Sequence, residues 1–160
     1  VKYYIGVDPG AKGALAYITS QGICAVWDYD DPKWQLFLRI VATRQSDGVM
    51  AMIESAHAMP KQGVSSMFNF GKNYGRWHGW FDALQIPYQI VTPQKWKKKI
   101  FDSAPKKGED QKQIALDLAH RLYPSISLTG PKGGKKDGRA DSLLIARYCQ
   151  KMEGGKRAMK

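Results

Sequence analysis

The sequence predicts an α/β fold built on a mixed five-stranded sheet flanked by helices. Three observations carry that reading. Residues 2–29 alternate short apolar runs with tight turns, the pattern of an antiparallel meander. A helix-period segment separates this meander from a continuous apolar run, Val49-Met50-Ala51-Met52-Ile53, which has the composition of a buried strand. A strand, a helix and a strand in that order imply a right-handed crossover, which sets the fourth strand parallel to the first.

Taken in order, residues 2–8 are strand-like through Tyr3, Tyr4, Ile5 and Val7, and Pro9-Gly10 turns the chain. Residues 13–19 form the second strand, Ser20-Gln21-Gly22 the next turn and residues 23–29 the third strand. Asp31-Pro32 reads as a helix start with Asp31 as N-cap. Trp34, Phe37, Leu38 and Val41 then recur at helical spacing as far as Thr43. Residues 48–54 are the fourth strand and end on an acid, Glu54.

After a loop at 56–64, Ser65 is expected to cap a long helix running to about Gln85. Gly71, Gly75 and Gly79 share one face of it. Three glycines cost roughly 3 kcal/mol of helix propensity, at about 1 kcal/mol each. A tight backbone contact, under the sheet or across a dimer axis, is the expected compensation. Trp77 and Trp80, on the same helix, read as core or dimer contacts.

Residues 87–91 are the fifth strand, and Thr92-Pro93 opens a short helix over 94–100 that carries Lys95, Lys97, Lys98 and Lys99. The chain continues as a polar loop at 101–110 and an amphipathic helix at 110–122, with Ile114, Ala115, Leu118 and Leu122 inward. A Gly/Lys/Pro loop follows at 123–136, then a last helix at 137–149 that buries Leu144, Ile145 and Tyr148. Residues 1–150 read as one domain, and 151–160 as a flexible basic tail.

The composition narrows the class. A chain of 160 residues fits one domain, and 43% hydrophobic content is enough for a core, which excludes wholesale disorder. No run of about 20 apolar residues is present, so no membrane span is expected, and the first residues lack a signal peptide's apolar run. Cys24 and Cys149 are far apart, without CxxC spacing, so neither a disulfide framework nor a zinc knuckle is expected and a reducing cytoplasm is the default. The net charge of +11 is uneven. Residues 1–94 hold 8 basic and 7 acidic side chains, a net of +1, whereas 95–160 hold 17 and 7, a net of +10. That asymmetry points to a polyanion, since each neutralised phosphate releases condensed counterions. Lys132, Lys135, Lys136 and Arg139 extend the basic stretch beyond the lysine-rich helix.

Four acidic residues lie at three places where apolar elements end or begin. Asp8 closes the first strand, Glu54 the fourth, and Asp137 and Asp141 open the last helix one turn apart on one face. Parallel neighbouring strands bring Asp8 and Glu54 to the same sheet edge, where open α/β folds place their sites. Each residue also has a plainer role: turn chemistry for Asp8-Pro9-Gly10, a lysine pair for Glu54, an N-cap for Asp137. Clustered carboxylates in a basic protein suit hard divalent cations, with few carboxylates and substrate phosphate as ligands. Two such ions stabilise both oxygens of a phosphoryl displacement.

In chain order, Ile5-Gly6-Val7-Asp8-Pro9-Gly10, Ile53-Glu54 and Ala140-Asp141-Ser142-Leu143-Leu144-Ile145-Ala146 resemble RuvC-type Holliday junction resolvases. The segment 59–71, from Met59-Pro60 to Asn69-Phe70-Gly71, is similar to the bacteriophage branch of that family. The resemblance implies an RNase H-like fold, a homodimer, and nicking of four-way DNA junctions that depends on Mg²⁺ or Mn²⁺, with two ions per site. The location it implies is cytoplasmic, that of the host if the protein is phage-encoded. It maps Asp8, Glu54 and Asp141 onto metal-binding carboxylates. Where bacterial members carry a further ligand, three residues before the last aspartate, this chain has Gly138, so Asp137 is the expected fourth ligand and His57 the alternative. His57 also stands where the family has a base-stacking aromatic. It stacks itself, or Phe68 or Phe70 takes the wedge role. Lys97 and Lys112 resemble lysines that support the scissile phosphate, and Lys112 is placed with the catalytic set. Lys95, Lys98 and Lys99 join the expected DNA contacts.

Two rival functions stand beside this one. One is an RNase H-like nuclease acting on RNA–DNA hybrids, and the other a non-catalytic branched-DNA-binding protein. The four candidate ligands count against the second, because a pure binder gains nothing by presenting carboxylates to phosphates.

Overall fold

A computed structural model describes residues 1–44, 48–56 and 63–157. The chain forms strands β1 (Tyr3–Asp8), β2 (Ala14–Thr19) and β3 (Cys24–Asp28), helix α1 (Lys33–Ala42), strand β4 (Val49–Glu54) and helix α2 (Val64–Ala83). Strand β5 (Tyr88–Val91) and helices α3 (Pro93–Ile100), α4 (Gln111–Leu122) and α5 (Asp137–Arg157) complete it. The sheet order is β3-β2-β1-β4-β5. β1 is antiparallel to β2 and parallel to β4, with Tyr3 opposite Thr19 on one side and Val49 on the other. β4 and β5 are parallel, with Glu54 opposite Val91. This is the mixed five-stranded sheet with flanking helices that the sequence predicts.

Side-chain alternation along β1 divides the core in two. Ile5 and Val7 face a cluster with Trp34, Leu38, Trp77 and Phe81 of α1 and α2. Tyr4 faces the opposite cluster, which includes Trp96, Leu118, Leu143 and Leu144 of α3, α4 and α5. Gly6 points the same way as Tyr4 and leaves no room for a side chain. An added Cβ would stand 2.2 Å from the Ser142 carbonyl oxygen and 2.3 Å from the Ala146 nitrogen. The glycine therefore lets α5 lie directly on the central strand, which fixes where its first turn meets the sheet edge.

Several local expectations change. Asp31 does satisfy the start of α1, its Oδ1 accepting from the Lys33 N–H at 3.0 Å, but the N-cap position is Pro32. α2 begins at Val64 with Gly63 as N-cap and no side-chain cap, so Ser65 lies inside the helix. The glycine stripe makes no contact under the sheet: among the described residues nothing lies within 4 Å of a Cβ added at Gly71, Gly75 or Gly79. Trp77 is buried, on the face of α2 that meets α1, with its ring 4.4 Å from that of Trp34. In α4, Leu122 is 39% exposed, and Leu116 and Ala119 are buried instead. Leu122 is in the last turn, and Tyr123 leaves helical geometry at once. α5 continues to Arg157, past the expected start of the tail, because Met152 still packs against the core. No helix among the described residues is long and apolar enough to cross a membrane.

Candidate active site

The parallel pairing of β1 and β4 ends with Val7 opposite Ile53, so the next residues, Asp8 and Glu54, leave the sheet side by side. Asp8 Oδ1 accepts the Gly10 N–H at 3.0 Å, so the turn role expected of it is real and coexists with any other. The first turn of α5 presses on this corner. A Cβ added at Gly138 would stand 2.3 Å from the Lys12 carbonyl oxygen, 3.1 Å from Gly13 Cα and 3.2 Å from Asp8 Oδ2. The backbone approach that makes glycine necessary there also excludes a ligand side chain at 138 and leaves Asp137 and Asp141 to flank the gap.

The electrostatics mark the cluster. Burial, followed by repulsion from Asp8 and Glu54, pushes the Asp141 carboxyl up to about 8. Burial also raises Asp8, opposed by the Gly10 N–H and reinforced by Asp137. Glu54 is raised by burial first and then by Asp8, against a hydrogen bond from Trp96. Lys97 is the cation that pulls all three down. Asp137 behaves oppositely: Lys112 holds it below the ordinary carboxylate range. Their Nζ–Oδ2 distance is 2.7 Å, with Lys112 74% and Asp137 32% exposed.

Desolvated carboxyls that repel one another are stabilised by a shared cation. Among the described residues, no three His, Cys, Asp or Glu side chains already converge on one ligating position. Mg²⁺ needs less than that, because one or two carboxylates, water and substrate phosphate complete its octahedron. The donor set of Asp8, Glu54 and Asp141, all oxygen, therefore fits a hard divalent cation, with Asp137 at its rim.

The expected DNA contacts separate into groups. Lys95, Lys98, Lys99 and Lys132 are exposed. Lys97 lies half-buried beside the carboxylates and donates to Gln111 Oε1 at 3.3 Å. A groove of about 590 Å³ lined by Lys97, Lys98, Phe101 and Gln111 runs beside it. Lys135 donates to Gln113. Arg139 and Lys136 are held by the protein itself: Arg139 grips Asp28 through two bonds of 2.7 and 2.9 Å, and Lys136 joins the same carboxylate at 2.9 Å. Phe68 is 71% exposed near the start of α2, whereas Phe70 lies parallel to Tyr74 at 6.5 Å. His57 lies outside the described residues.

The sequence reading missed two residues. Asp28 ends β3 on an acid, the same signal that flagged Asp8 and Glu54, and it ties that strand to α5. Trp96 is fully buried, and its Nε1 donates to Glu54 Oε2 at 2.5 Å. Its place one turn after Thr92-Pro93 was the available clue.

No family model matches the chain, and no curated protein matches it. Solved structures do. RuvC of Thermus thermophilus aligns at a TM-score of 0.51 and 12% identity over 94% of this chain and 96% of that one. T. thermophilus RuvC in complex with a Holliday junction substrate aligns at 0.50 and 12%, over 95% and 96%. The yeast mitochondrial Holliday junction resolvase Ydc2 aligns at 0.46 and 13%, over 94% and 80%. The fold of this chain is thus that of the RuvC-like resolvases.

Proposed function

We propose that the protein is a Holliday junction resolvase, an endonuclease that nicks four-way DNA symmetrically as a homodimer, as its sequence resemblance to the phage branch of the family implies. The observation that carries this reading is the placement of Asp8, Glu54 and Asp141. Three desolvated carboxyls share the sheet edge beside a lysine-bearing helix, on a resolvase fold. A binding module has no use for buried carboxylates next to a phosphate path.

Asp8, Glu54 and Asp141 would hold the divalent cations, Mg²⁺ or Mn²⁺. When bound, these ions supply positive charge to the transition state of phosphodiester hydrolysis and make water a competent nucleophile at neutral pH. Lys97, whose charge already acts on the three carboxyls, would neutralise a non-bridging oxygen of the scissile phosphate. Lys112 would bind phosphate when Asp137 turns from it to the ions. The exposed Lys95, Lys98 and Lys99 would hold the duplex arm without reading bases. A twofold dimer presents two such sites to symmetry-related strands.

Incubation of the protein with a synthetic immobile junction, with and without Mg²⁺, tests the reading. Paired nicks bearing 5′-phosphate and 3′-hydroxyl ends are expected only with the cation. Preferential cutting of an RNA–DNA hybrid would replace it with the RNase H-like reading.

A further inference from the structure

Glu54 is held in place by a residue that does not face the substrate. β5 ends at Val91, directly opposite Glu54 in the parallel ladder. Thr92 then caps α3, its hydroxyl accepting from the Lys95 N–H at 3.3 Å, and Pro93 sets the first turn. One turn of helix brings the next inward residue, Trp96, back over the end of β4. Its ring is fully buried and meets Phe101 edge-on at 5.8 Å. Its single polar atom, Nε1, donates to Glu54 Oε2 at 2.5 Å.

That partner is unusual for a core indole. A buried N–H gains from any acceptor, and a backbone carbonyl would suffice. This fold also tolerates an indole without one, since Trp77 Nε1 is buried with no partner among the described residues. The Trp96 bond instead ends on a candidate ligand and removes its rotational freedom. Among the described residues Glu54 Oε1 has no hydrogen-bond donor. The next residue along the helix, Lys97, has its ammonium 5.4 Å from the Trp96 ring centroid and carries charge toward the same carboxylates.

We propose that Trp96 is a positioning residue for Glu54: its indole N–H commits Oε2 and fixes the carboxylate, leaving Oε1 to serve a divalent cation shared with Asp8 and Asp141. The proposal rests on the reading of that cluster as a cation site. Residues that orient metal ligands through a hydrogen bond typically carry a 10–100-fold effect on affinity or rate.

The test uses the full chain with ¹⁵N-labelled indoles. Trp96→Phe keeps the aromatic packing, removes the donor, and assigns the Trp96 signal among the five tryptophans. In wild type this signal is expected downfield of the others. It should move upfield in Glu54→Gln and shift on addition of Mg²⁺. Calorimetric titration with Mn²⁺ should show about 10–100-fold weaker binding in Trp96→Phe. Junction nicking by this variant should fall at low cation and recover at high cation, a split that a generally loosened core would not give. Should Trp96→Phe fail to fold, selective assignment of the wild-type signal and its response to Glu54→Gln and Mg²⁺ still decide. An indole signal indifferent to both, or unchanged Mn²⁺ affinity in a folded Trp96→Phe, overturns the proposal. If wild type binds Mn²⁺ and shows the spectral shifts but cuts no junction, the resolvase reading fails and the positioning role stands.

Discussion

Lys112 Nζ lies 2.7 Å from Asp137 Oδ2, so the expected fourth ligand and the expected phosphate-supporting lysine occupy each other. Lys112 is largely exposed and Asp137 about one-third so, and pairs open to solvent contribute about 0.2–1 kcal/mol. Its value to the protein is therefore not stability. Asp137→Ser should leave the melting temperature within a few degrees while lowering the nicking rate by orders of magnitude at saturating Mg²⁺. Wild-type rates in that variant would reduce Asp137 to a helix-start residue and turn attention to His57.

Asp141 ties stability to pH. Its folded-state pKa is raised from 3.8 to about 8, so the folded protein holds a proton that the unfolded chain releases. Stability from this group is full below about pH 4 and is lost as pH rises toward and through about 8. Without divalent cations, the melting temperature should fall between pH 5 and pH 8, and Mg²⁺ should restore it at the alkaline end. Asp141→Asn should flatten that fall and melt higher than wild type at pH 8, at about 2–4 °C per kcal/mol for a chain of this size. Identical pH profiles for the two proteins without cation would remove Asp141 from the buried cluster.

Gly6 and Gly75 should respond in opposite ways. A Cβ at Gly6 meets the α5 backbone at 2.2 Å, whereas one at Gly75 meets nothing within 4 Å among the described residues. Gly6→Ala should destabilise the protein by at least the 1–3 kcal/mol typical of overpacking. Gly75→Leu should keep or gain protomer stability, up to about 1 kcal/mol from helix propensity. If the stripe lies on the dimer axis, the same leucine should split the dimer, which light scattering reads directly. A Gly75→Leu protein that stays dimeric would place the interface elsewhere.

The lysines of α3 should set the salt dependence of binding. Each contacted phosphate contributes about −0.9 to the log–log slope on duplex arms. Replacing Lys95, Lys98 and Lys99 together with alanine should flatten the slope by up to about 3, without altering where the junction is cut. An unchanged slope, measured by fluorescence anisotropy across a salt series, would put the phosphate path elsewhere.

Much of the fold was legible because it is periodic. The alternation of Tyr4, Ile5 and Val7, the apolar run before Glu54 and the four-residue step from Asp137 to Asp141 are local patterns, and they carried the sheet and the carboxylates. The missed features are pairings between distant parts of the chain. Asp28 finds Arg139, and Trp96 finds Glu54, only once β3, β4 and the helices are assembled. The glycine stripe is legible only in part for a related reason: spacing shows that the three share a face, and the structure excludes a contact under the sheet among the described residues, while the contact across a dimer axis stands as an expectation. The last helix is expected too short because glycines 154 and 155 suppress helix propensity, whereas packing of Met152 against the core carries α5 past them.

The central claim is that the buried carboxylates cut junction DNA with the help of a cation. A single assay tests it most directly: binding and nicking of a synthetic immobile four-way junction by wild type and Asp141→Asn, each with Mg²⁺ and with chelator. Wild type should bind in both conditions and nick only with Mg²⁺, and Asp141→Asn should bind at least as tightly and not nick. Nicking by wild type that persists undiminished in chelator, or nicking by Asp141→Asn at the wild-type rate, would contradict it.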